Sequence, residues 1–577
     1  MRTNWLLPGV LGGFIWSVVG ANPIAPAVTT ISIVGTTDLH GRIVEDVGRG
    51  GLSLLGGFLK NLRAARQEDG GAVLLLDAGD TFQGGIESNL SEGAVVVDAY
   101  NALGYTALAI GNHDFEFGER DEPSGEDADT DPRGALKAAA ARAHFPFLAA
   151  NLVDASTEAG VSWPNVHPSA IVEAAGVPVG LIGVMTVDGL SMTLAANVGG
   201  LHTTPLVPAL TREARALRAR GAQLVIVVAH AGGYCEHVES PTDLSSCDES
   251  SEIFEVARQL PSGLVNAIVG GHTHAQVAHS VAGIPIIQAG SVGQAFARVD
   301  LQFDRRTAQV VTTRVHPPRP LCAWEGAPGV CLAPGEGARP VYEGRAVEPD
   351  PRIDLAMAPQ LAGVRARRAA PLGIVAASPL TRAAYPESAL ANAFADAVRH
   401  TLPNVDAAVS YGAGMGGLRA DLPAGPVSFG MLYDVFPFDN RMVRVHLTGD
   451  EVRMVLTEQV RRRRGRLTGL SGLRATVRCR PDGAVVDITR MDGQVIVGGE
   501  PMVVAVPEYS SARMPWTGPP VVTPVRDPTR PDPMLRQLVL DWMRARDRPL
   551  DAGDFLDPRH PRWRFVGEAP ACGRAIS

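Results

Sequence analysis

The chain has 577 residues, 45% hydrophobic and 20% charged, with a net charge of −9. This is too long for one ordinary core, so two domains are expected, in a chain with the balance of a folded soluble protein. The negative charge excludes a general nucleic-acid binder, and no nucleic-acid polymer is expected as a partner. Lys60 and Lys137 are the only lysines, so the arginine-borne positive charge reads as composition bias rather than function.

In chain order, Arg2 precedes an apolar stretch from Leu6 to Val19, followed by small residues at Gly20, Ala21, Ala25 and Ala27. That is the order of a secretory signal, assigned to residues 1–27. As a membrane anchor the stretch is short, and it carries Pro8 and three glycines. A cleaved signal is therefore favoured over an uncleaved anchor, and no stable span remains after its removal. Export to the periplasm or the cell exterior follows. Six cysteines fit that compartment, and none shows the CxxC spacing of a zinc ribbon or redox motif. Cys235–Cys247 and Cys322–Cys331 suit disulfides, with Cys479–Cys572 left as a third pair, although spacing alone does not fix the pairing.

From Thr29 to about residue 315, short apolar runs alternate with helical stretches. The runs 31–35, 72–77, 106–111, 224–230 and 266–271 are rich in Val, Ile and Leu and end in Gly, Asn, Asp or His, as buried strands do. Stretches 54–66, 134–143 and 206–219 suit helices. The alternation predicts an α/β layered domain over 28–320. Residues 118–133 are acidic and turn-rich and read as an exposed insertion. A Pro- and Gly-rich stretch, 317–340, closes this domain. Residues 351–369 look helical, within an interdomain linker at 345–370. A second α/β pattern fills 371–577, with apolar runs at 405–410, 442–447, 485–488 and 502–507. Arg461 to Arg464 read as a solvated helix face.

Five clusters of metal-binding side chains follow the predicted strands. Asp38 and His40 lie two apart in Thr37-Asp38-Leu39-His40-Gly41, a spacing that puts both on one face of an extended backbone. Asp80 lies in Asp77-Ala78-Gly79-Asp80-Thr81, and Asn112, His113 and Asp114 are consecutive. His230 ends the run 224–230. His272 and His274 repeat the period-two spacing in Gly270-Gly271-His272-Thr273-His274. A lone Asp or Asn after a strand is usually a turn former, and a lone His is usually satisfied locally. Five such clusters at strand ends in one predicted domain converge where α/β folds place their sites. Asp77 reads as a supporting residue, and His237 and Asp243 as loop residues.

The donor set mixes carboxylate, imidazole and one amide without thiolate. That suits Mn, Fe, Co, Ni or Zn rather than a structural zinc. The donors exceed the needs of one ion and suit two divalent ions, roughly 3.5–4 Å apart and bridged by a carboxylate.

The segments TDLHG, DAGDTFQG, GNHDFEFG, the strand-ending His230 and GGHTHA resemble, in order, the motifs of the calcineurin-like metallophosphatases. Within them the chain most resembles the exported 5′-nucleotidase family, which includes periplasmic UDP-sugar hydrolases. The resemblance covers nearly the whole mature chain. It implies an N-terminal four-layer αββα sandwich, a helical linker and a smaller C-terminal α/β substrate domain. It implies that Asp38, His40 and His274 bind one metal, that Asn112, His230 and His272 bind the other, and that Asp80 bridges them. His113 would then stabilise or protonate at the phosphate, and Asp114 would orient His113.

Residues 416–440 resemble the signature of the 5′-nucleotidase C-terminal domain, and 387–399 the helix before it. The resemblance implies that Arg419 contacts substrate phosphate or similar oxygens and that Phe438 forms one side of an aromatic clamp on the base. Arg382 is a second candidate phosphate contact. The glycine-rich loop from Gly412 to Gly417 lacks the asparagine usual in the family. The second clamp aromatic falls to Tyr509, followed by Trp516, in a segment that departs from the family pattern. The reading is a hydrolase of nucleotide phosphate esters, most simply a 5′-nucleotidase. Its alternatives are a nucleotide-sugar pyrophosphatase or a 2′,3′-cyclic phosphodiesterase on the same metals, and a catalytically silent nucleotide-binding surface protein. All seven predicted ligands are present, which argues against silence.

Overall fold

The apolar runs 72–77 and 224–230 become strands with those same bounds, because helices cover their outer faces and a second sheet covers their inner ones. The structure is a computed structural model. It describes residues 27–566 apart from 47–48, 120–130, 328, 334, 383–386, 411–416, 439–440, 463–466, 481–482, 509–520 and 524–533. Residues 1–26 of the signal segment, most of the acidic insertion, Gly412 to Gly416, Tyr509, Trp516 and Cys572 thus lie outside the described residues.

Five parallel strands lead the first half: β1 (Val28–Thr36), β2 (Ala72–Asp77), β3 (Ala107–Ala109), β4 (Phe147–Leu148) and β5 (Val166–His167). Next come β6 (Ser169–Ala174), β7 (Val177–Met185), β8 (Leu224–His230), β9 (Ala267–Gly270), β10 (Gln276–Val281) and β11 (Ile284–Ala289). Last are β12 (Ala295–Asp304) and β13 (Gln309–Pro320). One sheet has the order β13-β12-β1-β2-β3-β4-β5 and the other β10-β11-β9-β8-β7-β6. Ile31, Ile33, Leu74 and Leu76 pack across the gap on Leu181, Ile226, Val228 and Val269. Helices Gly51–Glu68 and Ala94–Leu103 cover one outer face through Phe58, Leu62 and Tyr100. Helices Leu206–Ala219 and Glu252–Gln259 cover the other through Leu210, Leu217 and Phe254. This is the four-layer αββα sandwich, and burial on both faces explains why its central strands are uninterrupted apolar runs. Each fully buried Phe or Leu contributes about 1.5–3 kcal/mol.

The end of the first domain differs from expectation. The strand β13 runs on through Pro317 and Pro318 to Pro320, into the stretch read as a closing loop. It is an edge strand, where a missing N–H can face away from the ladder.

Helix Pro351–Ala369 begins with Asp350 accepting from the Arg352 N–H, and proline takes its first position. Ile353 and Met357 join the first half's core, while Val364 packs with Ile86 and Tyr433. The second half holds a five-stranded sheet centred on Pro501–Pro507 and Met442–Thr448. Helices Ala389–Thr401 and Leu535–Arg544 contribute Phe394 and Leu538 to its core. Arg461 pairs with Glu458 on helix Gly449–Arg462. Disulfides join Cys235 to Cys247 and Cys322 to Cys331. No helix among the described residues is long and apolar enough to cross a membrane.

Candidate metal centre

Parallel strands β1, β2, β8 and β9 end at Thr36, Asp77, His230 and Gly270, and the predicted ligands sit at or just beyond these ends. The chain must turn sharply there. Asp38 (φ 49°), His40 (φ 49°), Asp80 (φ 55°), His272 (φ 75°) and His274 (φ 58°) all adopt left-handed backbone. Side-chain-bearing residues rarely take this region, and such strain clusters at functional sites. The expectation for Asp38 and His40 was an extended backbone. The two do converge, but through left-handed turns. Gly111 is required beside them, because a Cβ there would collide with Asp80.

The ligand atoms form two groups that share one carboxylate. Asp38, His40, Asp80 and His274 offer atoms all within 4.8 Å of one another, and Asp80, His230 and His272 form a second such group. Asn112 joins the second through Oδ1, 3.0 Å from His230 Nε2, with its Nδ2 donating to Met192 O.

Hydrogen bonds outside the centre fix which ring nitrogens face in. His40 Nδ1 lies 2.9 Å from Gln83 O, and His230 Nδ1 lies 2.8 Å from Ala78 O. A carbonyl only accepts, so each Nδ1 carries hydrogen, and each Nε2, once deprotonated, would offer its lone pair inward. His40 Nε2 meets His274 Nε2 at 3.1 Å. His230 Nε2 lies 3.1 Å from His272 Nδ1 and 3.2 Å from Asp80 Oδ2. Acceptors gathered in this way, buried and without thiolate, fit transition-metal cations.

The electrostatics point the same way. Burial pushes Asp38 up to about 7 against the pull of His230, and the Asp80 charge adds to the rise. Burial works upward on Asp80 too, but His230 and then His113 hold it well below the usual carboxylate range. Burial opposes charge on His230, yet Asp80 drives it up to about 10. Burial and then the Arg419 guanidinium push His274 down to about 3 and His40 well below its ordinary value. The buried carboxylates demand positive charge, and divalent cations meet that demand.

The residues expected to assist catalysis are arranged differently from the sequence reading. Asp114 does not bond His113. Its oxygens accept the backbone N–H groups of Gly111 (2.8 Å), Asp80 (3.2 Å), Thr81 (2.8 Å) and Phe82 (3.3 Å), so it shapes the Asp80 turn. His113 Nδ1 instead meets Glu116 Oε1 at 2.6 Å. The cause is local: His113–Phe115 is a 3₁₀ turn, in which side chains three apart eclipse and neighbours diverge. Burial works against charge on His113, but Glu116 and then Asp80 raise its pKa above the ordinary value. Glu116 was missed in the sequence, where its i+3 spacing from His113 was the available signal. Asp77 is a supporting residue, accepting from Thr36, Thr81 and Tyr100 hydroxyls and the Gly79 N–H.

The calcineurin-like phosphoesterase model matches residues 31–276, and the 5′-nucleotidase C-terminal domain model matches 369–512. The chain thus carries a calcineurin-like phosphoesterase domain followed by a 5′-nucleotidase C-terminal domain. It is 29% identical over 289 residues to a 5′-nucleotidase of Vibrio cholerae, covering 48% of this chain and 47% of that protein. It thus spans about half the length of that relative. It is 25% identical over 453 residues to Protein UshA of Yersinia enterocolitica, covering 74% and 75%. The crystal structure of a 5′-nucleotidase precursor from Thermus thermophilus shares the fold, with a TM-score of 0.67 and 22% identity over 94% of this chain and 100% of that one.

The C-terminal domain meets this centre through the segment around Tyr433 to Phe438. Gln83 Nε2 donates to Pro437 O at 2.7 Å, and Asn89 Nδ2 to the Tyr433 hydroxyl at 2.6 Å. Asp434 pairs with Arg42 (2.9 Å) and Arg368 (2.6 Å), and Arg368 also pairs with Glu87 at 3.0 Å. Arg419 lies over the Phe438 ring, 5.1 Å to its centroid. Burial lowers its pKa, with Glu116, Asp80 and Asp38 among the charges it feels. Phe438 is 1% exposed and packs on His113 and Phe436 at 5.9 and 5.4 Å between ring centroids. In this arrangement its ring offers no open face to a base, unlike the clamp position expected of it. Arg382 is not aimed at the centre: it donates to the Arg419 carbonyl and pairs with Asp421, bracing the Arg419 backbone.

Proposed function

We propose that the chain is an exported phosphohydrolase that holds two divalent metal ions and releases phosphate from nucleotides, as a 5′-nucleotidase does. The observation that carries this reading is the pair of ligand groups sharing Asp80, with Arg419 of the second domain facing them. Asp38, His40 and His274 would hold one ion, Asn112, His230 and His272 the other, and Asp80 both. Such ions, when bound, lower the pKa of a water to give a nucleophile at neutral pH and offset charge on the transferring phosphoryl group. Glu116 holds His113 by Nδ1, which leaves Nε2 to stabilise the phosphoryl oxygens or to protonate the leaving oxygen. Arg419 supplies a planar guanidinium to the phosphate, and its dry surroundings strengthen that contact. Asp114 acts indirectly, by fixing the backbone that carries Asp80.

Export rests on the N-terminal signal pattern and on the two disulfides. The substrate class rests on the C-terminal domain and on relatives named 5′-nucleotidase. Phosphate release with added Mn, measured across nucleoside mono-, di- and triphosphates, nucleotide sugars and cyclic nucleotides, tests it. AMP should be among the best substrates. Cleavage of diesters or nucleotide sugars with AMP untouched would replace this reading with the pyrophosphatase or phosphodiesterase.

A further inference from the structure

Two of the loops that carry metal ligands are tied together by a buried amide that belongs to neither. Gln288 sits near the end of β11 in an otherwise apolar run, Ile284–Ala289, and is 0% exposed. Its Oε1 accepts the Gly233 N–H at 3.2 Å, in the loop just after His230. Its Nε2 donates to Thr273 Oγ1 and to Ala275 O, each at 2.8 Å, and so grips the segment that carries His272 and His274 from both sides. Thr273 closes the ring by donating its hydroxyl to Gly233 O at 2.8 Å. The loops approach so closely that a Cβ at Gly232 would collide with the Gly271 carbonyl and Thr273.

A polar side chain in a dry strand carries a desolvation cost unless it is fully bonded, and each polar atom of this amide is bonded to a ligand-bearing segment. His272 and His274 sit on left-handed backbone, φ 75° and 58°, a conformation that persists only where the surroundings over-determine it. None of the four bonds touches a ligand side chain. Together they fix the spacing between His230 and the His272–His274 turn.

We infer that Gln288 and Thr273 form a positioning clamp that sets the affinity of the centre for metal by holding His230, His272 and His274 in register. This rests on the reading of the centre as a metal site. The clamp acts through the backbone and makes no contact with substrate.

The test is competitive Mn titration of the chelator-stripped full chain against a fluorescent chelator, with the melting temperature of the stripped protein as the second measurement. Thr273→Val and Gln288→Met should each raise the half-loading Mn concentration about 10- to 100-fold, the range typical of groups that orient ligands. Thr273→Ser, which keeps the hydroxyl, should stay within about 3-fold of the parent. The double variant should fall short of the product of the single effects, because the two residues act as one unit. Unchanged Mn loading in folded Thr273→Val and Gln288→Met would overturn the inference. So would failure of both to fold, since the clamp would then be a structural element only. If the parent chain itself bound no Mn, the metal-site reading would fall instead.

Discussion

The two halves of the molecule present functional side chains in different ways. In the first half, the ligands hang from the ends of parallel strands, and left-handed backbone at Asp38, His40, Asp80, His272 and His274 aims them inward. Buried groups around them, Asp77, Asp114 and Gln288, spend their hydrogen bonds on backbone and hydroxyls. In the second half, Arg419 and Phe438 come from irregular segments beside strands and helices, and they meet the centre through a small polar seam of Gln83, Asn89, Tyr433 and Pro437. The predicted metal ligands sit on a buried, hydrogen-bonded scaffold, while Arg419 and Phe438 sit on segments that rest on it.

That contrast can be broken from either side. The largest effect belongs to the shared ligand: Asp80→Ala should abolish both metal binding and turnover, read by metal analysis and phosphate release, because it removes a donor from both groups. His113→Ala should keep the metals and lose about 10²–10⁴-fold in kcat. Glu116→Gln should lower kcat less, by about 10- to 100-fold, with metal content unchanged. An Asp114→Asn chain that lost kcat as His113→Ala does while keeping its full metal content would contradict the division of labour between Glu116 and Asp114. In the second half, Arg419→Ala should cost about 1.5–3 kcal/mol, or roughly 10- to 150-fold in kcat/KM, the worth of a charge-assisted hydrogen bond. Metal binding should not change.

The smallest expected effect concerns stability rather than catalysis. Burial works upward on Asp300, but His316 and Arg298 hold it far below the usual carboxylate range. Its folded value lies below its unfolded one, so its stabilisation is full above the unfolded value of about 3.9 and is lost as pH falls below that. Asp300→Asn should cost about 1–3 kcal/mol at neutral pH and flatten the acid limb of a denaturation profile taken from pH 5 downward.

The sequence disclosed the two halves unequally, for physical reasons. Strands such as Leu224–His230 were legible because buried parallel strands are apolar on both faces. The candidate ligands were legible because Asp, Asn and His recur after such strands. Their local geometry was not, since the pairs turn in the left-handed region rather than lying extended. Asp114 does not reach His113, because adjacency in sequence is divergence in a 3₁₀ turn, which brings Glu116 to His113 instead. For Arg382 and Phe438 the deciding partners lie outside their local sequence. What Arg382 does depends on Asp421 and the Arg419 carbonyl. Whether Phe438 has an open face depends on His113, hundreds of residues away. Gln288 drew no notice because one glutamine in an apolar run carries no pattern.

Asp80, as the carboxylate common to both candidate ligand groups, should join two metal sites. Calorimetric titration of the chelator-stripped chain with Mn tests it. The parent chain should bind two equivalents and Asp80→Ala none, and phosphate release from AMP should rise with occupancy. Tight binding of two equivalents by Asp80→Ala, or AMP hydrolysis by the stripped chain at the full rate, would contradict it.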